Sequence, residues 1–316
     1  MPSSWRSRVP TLLLLALAAG ASPARGAVDS RVAIVSTSSI GPFVEAGDAI
    51  TKALRQNQPQ PEILTFDLDG DQRNAPAVLA RVRASDPALL VTIGSLATAV
   101  VLAEKWDVPI VFSMVLYPEQ TGFRAGTRAV TGATLDIPLD HQFATLRRLL
   151  PDARRVGVLY SRGETGAVVV AARAAATRHG FTLNAREVEQ PARALGVLGE
   201  LMDEVDVVWS VADSHVFAPQ TTSPLILDAL RRGKPVFGLS LAHVRIGTLA
   251  ALYCDYRDVG VQSAELVVRV LRGEKAAEIA TTAPRRVRLA LNLRTAHNLG
   301  LTVAPDVERD AAEVIR

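Results

Sequence analysis

The chain reads as an α/β protein built of two doubly wound lobes. Three observations predict this: a length of 316 residues, a hydrophobic content of 48%, and the regular alternation of short β-branched runs with helical patterns. The length suffices for two lobes that each bury a core, and the apolar content with mixed charge excludes a disordered chain. Strand-like runs alternating with helix-like ones are the signature of parallel sheets covered by helices on both faces.

The first strands fall at 31–36, 62–66, 89–93 and 110–113, each followed by a helical pattern or a loop. A Gly-rich stretch from Gly122 through Gly132 to Asp136 ends this series and marks the boundary between lobes. The second series falls at 156–160, 182–188, 205–211 and 236–239. Helices between them show apolar stripes at 3.6 spacing, such as Phe143, Leu146, Leu149 and Leu150, or Val197, Leu198, Leu201 and Met202. A short apolar segment at 247–256, an amphipathic helix at 259–271 and a strand at 287–293 complete the pattern. How often the chain crosses between lobes does not follow from periodicity.

The N-terminus carries Arg6 and Arg8, an apolar run at 12–19, then small residues through Ala27. This is the plan of an export signal, and the run is too short for a bilayer, which takes about 20 residues. Ala24 and Gly26 suit a cut before Ala27, so 1–26 is expected to be removed. The whole chain carries 35 basic and 32 acidic side chains. Removing Arg6, Arg8 and Arg25 with the signal leaves 32 of each, so the basic excess does not mark a surface for nucleic acid. Cys254 is the only cysteine, which leaves none to carry a lipid near the cut and none to form an internal disulfide. A soluble protein of a bacterial periplasm is expected.

Catalytic signatures are absent: no G-x-S-x-G elbow, no Walker loop and no G-x-G-x-x-G turn. The histidines at 141, 179, 215, 243 and 297 are not paired at metal-ligand spacing. Cys254 sits in an apolar context and reads as a small core residue. Binding without chemistry is expected, with no cofactor, no metal and no nucleic acid.

The segments VTIGSLAT, VPIVFSMVLYPEQTG, VTGATLDIP, LLPDARRVGVLYSRGE, VDVVWSVADSHV, GKPVFGLS, GTLAALYCDYRDVGVQSAELVVRVLRGEKAAEI and LALNLRTAHNLGL occur in this order across roughly residues 30 to 301. Together they resemble the ABC transporter substrate-binding protein family that includes tryptophan- and tyrosine-binding members. The resemblance implies the type I periplasmic binding protein fold: two Rossmann-like doubly wound lobes joined by a three-segment hinge, with ligand held between them. Combined with the strand pattern, it divides the chain into a signal at 1–26, an N-terminal lobe at 27–130 plus 256–283, and a C-terminal lobe at 131–255 plus 284–316.

In such a fold the ligand meets loops at the carboxyl ends of the strands, where helix N-termini present free N–H groups. The first lobe then offers Ser38, Ser95, Ser113 and Tyr117. Ser95 stands where the family often has Ser or Thr opening a helix, so it is either a ligand donor or a helix cap. The second lobe offers Arg162, Thr165, Asp213, Ser214 and Ser240. Asp213 matches an acidic family position suited to a ligand ammonium, and it equally suits capping the segment from Ser214. Asp255 in YCDY matches an acidic position beside the hinge, where it contacts ligand or ties hinge amides. Among the aromatics, Phe43, Phe112, Tyr160 and Trp209 read as core, whereas Tyr117 and Phe217 stand in loop or helix-opening positions.

The chain departs from its relatives at Gly163–Ala167, where an Asn-Ser pair is common, at Tyr117, where Asp precedes the proline, and at Ser214, where Asn is frequent. Helix-opening amides near Thr165, or Arg162, can still serve a ligand carboxylate. The resemblance implies capture of a small polar ligand, with an aromatic amino acid one candidate, and delivery to an inner-membrane ABC permease. The alternative is a periplasmic sensing module that presents its bound state to a membrane receptor or kinase.

Overall fold

The computed structural model describes residues 30–58 and 60–316, and the expected export segment lies outside them. The first lobe is a five-stranded parallel sheet of β1 (Arg31–Ser36), β2 (Glu62–Asp67), β3 (Leu89–Ile93), β4 (Ile110–Val115) and β5 (Val130–Thr134), ordered β2-β1-β3-β4-β5. Strands β3, β4 and β5 are buried along their whole length. The near-continuous apolar runs of β3 and β4 reflect that covering on both faces. One face carries α1 (Gly41–Arg55), whose buried Ala46, Ala49, Ile50 and Leu54 recur at helical spacing. The other carries α2 (Ala75–Ala84) and α3 (Ser95–Leu102), packed on Val35, Leu90 and Phe112.

The second lobe begins with α4 (Leu139–Leu149), β6 (Arg155–Tyr160), α5 (Arg162–Arg178), β7 (Thr182–Glu187), α6 (Ala194–Met202) and β8 (Val207–Trp209). It continues through α7 (Pro219–Arg231), β9 (Val236–Gly238), α8 (Leu241–Ile246) and β10 (Ala250–Cys254). The chain then returns to the first lobe as α9 (Tyr256–Leu271), and comes back with β11 (Val287–Asn292), α10 (Leu293–Asn298), α11 (Pro305–Asp310) and β12 (Ala311–Ile315). The seven strands of this sheet are ordered β12-β11-β10-β9-β8-β6-β7, and only the β10–β11 pair is antiparallel.

The whole of β5 belongs to the first sheet, so the first crossing falls after Thr134, whereas the sequence reading divided the lobes at 130/131. Gly132 lies against Phe112 so closely that a Cβ would come within 2.3 Å of its carbonyl oxygen. The glycine that made this stretch look like a linker is therefore a strand residue at a close approach. The three crossings run side by side. Leu135 N–H donates to the Val115 carbonyl at 2.8 Å, Cys254 Sγ lies 3.6 Å from the Leu135 carbonyl, and Asp255 N–H donates to the Arg286 carbonyl at 3.1 Å. Gln262 of α9 fixes the third crossing, donating to the Ala283 carbonyl at 3.1 Å and accepting from Arg285 N–H at 3.0 Å.

Helix α9 packs its buried Val259, Leu266 and Val267 into the core shared with α1. At Gly260 the two backbones nearly touch, and a Cβ would stand 2.4 Å from the Ala46 carbonyl oxygen. Gly260→Ala is therefore expected to destabilise the fold by about 1–3 kcal/mol through overpacking, despite alanine's better helix propensity. A urea titration with a lowered midpoint and unchanged slope is the expected result.

Candidate functional site

The lobes and hinge enclose a cavity of about 480 Å³, within the range of small-molecule sites. Its C-terminal-lobe wall is built from the carboxyl ends of β8 and β9, at Trp209–Ala212 and Phe237–Leu239, and from Ala167, Val168 and Ala171 of α5. The hinge adds 135–138, Tyr253 and Cys254, and the N-terminal lobe adds Leu116, Tyr117 and Tyr256. These walls are mostly apolar.

Tyr117 reaches the cavity through an irregular exit from β4. Met114 and Tyr117 both have positive φ, 59° and 48°, and the β4–β5 register shifts between Ser113 and Val115. Left-handed backbone at non-glycine residues costs on the order of 1–3 kcal/mol each and gathers at functional sites. Here it turns the chain so that Tyr117 lines the cavity, with its hydroxyl near the Ala212 backbone of the other lobe. Burial, with the nearby Asp136 charge, pushes that hydroxyl well above the ordinary phenol range. Gln120 on the following turn donates to the Glu164 carbonyl, a second contact between lobes.

Asp136 is the one charged side chain among the described residues lining the cavity. Its carboxylate accepts from Tyr117 N–H at 3.1 and 3.3 Å. Burial is the main cause of its pKa being pushed up to about 6, and Glu119 raises it further against the opposing Tyr117 hydrogen bond. Gln142 is held in place from two sides, donating to the Ile137 carbonyl at 2.8 Å and accepting from Trp209 Nε1 at 2.8 Å. The Cys254 thiol is pushed up to about 12, mainly by burial, and so stays protonated.

Of the residues named from the sequence, Tyr117 lines this cavity. Asp213 does not: it is 1% exposed and serves the scaffold. Its Oδ2 accepts from Ser161 N–H at 2.6 Å, Ser161 Oγ at 2.8 Å and Thr165 Oγ1 at 2.5 Å. Its Oδ1 accepts from His215 N–H at 3.0 Å and Val216 N–H at 3.2 Å. Of the two roles the sequence allowed for Asp213, its carboxylate here fills the capping one, and Thr165 is spent on the same network. Ser214 instead bonds Glu164 Oε2 through its N–H at 2.9 Å and its Oγ at 2.8 Å. Glu164, Asp213 and His215 form a close trio of metal-ligand type, but these donors already engage the Asp213 carboxylate and Glu164 Oε2.

Arg162 points to an outer depression, where it pairs with Glu187 at 2.6 and 3.1 Å. Ser113 is fully buried, its Oγ 2.7 Å from Ser263 Oγ of α9 and directed away from the cavity. Ser240 caps α8, accepting from His243 N–H at 3.2 Å. Asp255 caps α9 and pairs with Arg288 of β11, so it ties two crossings of the hinge. Ser38 and Ser95 sit on the N-terminal lobe outside the cavity. Gly94, with φ of 87°, is the N-cap of α3, while Thr37 Oγ1 accepts from Ala97 N–H at 3.1 Å. Phe217 packs near His243 rather than in the cavity.

Sequence reasoning passed over Asp136, Gln142, Tyr253 and Tyr256. The signal was present for three of them: Asp136 lies in VTGATLDIP and the two tyrosines flank Asp255 in YCDY. Trp209 is a core residue that also lines the cavity.

Two hinged α/β lobes around an interlobe cavity define a ligand-binding protein of the periplasmic type. Residues 32–315 match the family described as ABC transporter substrate binding protein, and the chain belongs to that family. A curated relative, the tyrosine-binding protein of Clostridioides difficile, is 20% identical over 193 residues, 59% of this chain. The chain spans about half the length of that relative, 55%. Among solved structures, an ABC domain in complex with L-Trp from Streptococcus pneumonia aligns with a TM-score of 0.70 at 21% identity, covering 90% of this chain and 99% of the other. The ligand-free, open structure of a substrate-binding protein with adhesive properties from Clostridium difficile aligns at 0.75 and 17%, covering 91% and 99%. These likenesses establish the type I periplasmic binding fold. Among the described residues, no helix is long and apolar enough to cross a membrane.

Proposed function

We propose that this substrate-binding protein is the capture component of an importer. In this reading the segment 1–26 directs it to a bacterial periplasm, where it takes up a small ligand between its lobes and delivers it to an inner-membrane ABC permease. The observation that carries the ligand reading is Asp136 within the apolar cavity. A carboxylate there calls for a cationic or hydrogen-bonding partner, and the walls call for an apolar body. The ligand is thus an amphipathic molecule rather than a wholly polar one. An aromatic amine group fits both demands, and the tyrosine- and tryptophan-binding relatives support an aromatic ligand. No bond-making is proposed, and the protonated Cys254 thiol is no nucleophile.

Ligand contacts with both lobes would favour the closed form by their differential affinity. The expected result is saturable thermal stabilisation by an aromatic amine or amino acid, together with compaction in small-angle scattering. At one hundred times its Kd a ligand adds about 2.7 kcal/mol to stability. A broad metabolite panel that produced neither effect would sink the capture reading.

A further inference from the structure

We propose that the cavity prefers a monocation, an aromatic amine without a carboxylate, over the zwitterionic amino acid bearing the same ring. This rests on the capture reading and narrows its substrate class. Asp136 is the only charged group among the described residues lining the cavity, so one negative charge faces the ligand and no positive one does. An ammonium is matched. A ligand carboxylate placed in the same apolar enclosure needs donors of its own, since an unpaired buried charge is strongly disfavoured.

Most donor-bearing groups around the cavity are already engaged, and Ser210 Oγ, buried in its wall without a partner, offers a single neutral hydrogen bond and no positive charge. Arg162 is turned outward onto Glu187 at 2.6 Å. Ser161 and Thr165 donate to Asp213 at 2.8 and 2.5 Å. Gln142 has its amide nitrogen on the Ile137 carbonyl and its oxygen on Trp209 Nε1, both at 2.8 Å. The helix ends offer little more. The cavity meets α5 at Ala167, Val168 and Ala171, beyond its first turn, and that turn carries Glu164. Helix α4 opens at the rim, but Asp140 places a carboxylate in its first turn. A helix N-terminus attracts anions through its dipole, and an acidic first turn opposes a second negative charge.

The test is calorimetry on the mature protein with tyramine, tryptamine and phenethylamine against tyrosine, tryptophan and phenylalanine. At least one amine is expected to bind about 100-fold or more tightly than its amino acid. The methyl ester of that amino acid, which lacks the negative charge, is expected to recover affinity toward the amine, and Asp136→Asn is expected to abolish the preference. An amino acid that binds as tightly as its amine overturns the inference while leaving capture intact. So does a failure of both sets to bind when some other metabolite stabilises the protein. Only the absence of any stabilising small molecule counts against capture itself.

Discussion

Asp213→Ala is expected to lower the unfolding free energy by about 3–5 kcal/mol, the largest single-residue effect anticipated in this protein. The carboxylate is buried and accepts five hydrogen bonds, from Ser161 N–H and Oγ, Thr165 Oγ1, His215 N–H and Val216 N–H. Hydrogen bonds to a charged group contribute about 1.5–3 kcal/mol each, and donors left buried without a partner add a desolvation penalty. Alanine would orphan several of them together. Asp213 joins the N-terminal turn of α5 to the segment 213–216, and both run directly into cavity-lining residues, Ala167 and Ala212, so their loosening would weaken ligand capture indirectly. Urea denaturation at neutral pH should show a lower midpoint, with Asp213→Asn intermediate because it keeps the shape and an acceptor. If Asp213 instead faced the ligand, the alanine variant would keep its stability and lose only binding.

This contrast shows where sequence reasoning reached its limit. The β-branched runs placed most strands of both sheets, because a strand buried on both faces must be apolar along its length. Strand β5 was hidden because Gly132 at its centre resembles a linker, although the contact with Phe112 is what requires glycine. At the cavity, the carboxyl ends of the strands marked the right region, but chain position does not say which way a side chain turns. Asp213 and Ser240 accept from backbone donors, and Thr165 donates to Asp213, instead of lining the cavity. The same hydroxyls and acids serve as caps and as ligand contacts, and only the neighbouring amides decide between the roles. Asp136 escaped notice for a different reason. It lies just past the carboxyl end of β5, the strand that the sequence pattern hid, and it becomes a cavity wall only when the crossings come together.

Asp136→Asn should consequently raise stability while weakening the binding of a cationic ligand, a combination that an ordinary scaffold residue does not produce. Burial, reinforced by Glu119, lifts the Asp136 carboxyl from its usual 3.8 to about 6. Between those values the folded protein keeps a proton that the unfolded chain has released, so stability falls as pH rises from about 4 to about 6 and levels off above. A shift of this size corresponds to about 2–3 kcal/mol. Asparagine retains an oxygen for Tyr117 N–H but carries no charge, so the variant should exceed the parent by about that amount at pH 7.5 and match it near pH 4. Other carboxylates, such as Asp206 and Asp255, are shifted downward by their arginine partners and act in the opposite sense. They are common to both proteins, so the difference between parent and variant isolates Asp136. Ligand affinity should show the complementary trend: a cation binds the ionised carboxylate, so affinity rises about tenfold per pH unit below about 6 and is constant above it. Parallel unfolding and calorimetric titrations of the two proteins from pH 4.5 to 7.5 would test both. A variant less stable than its parent at pH 7.5 would mean that the charged form of Asp136 is stabilised by the fold, and the case for a waiting counter-charge would fall with it.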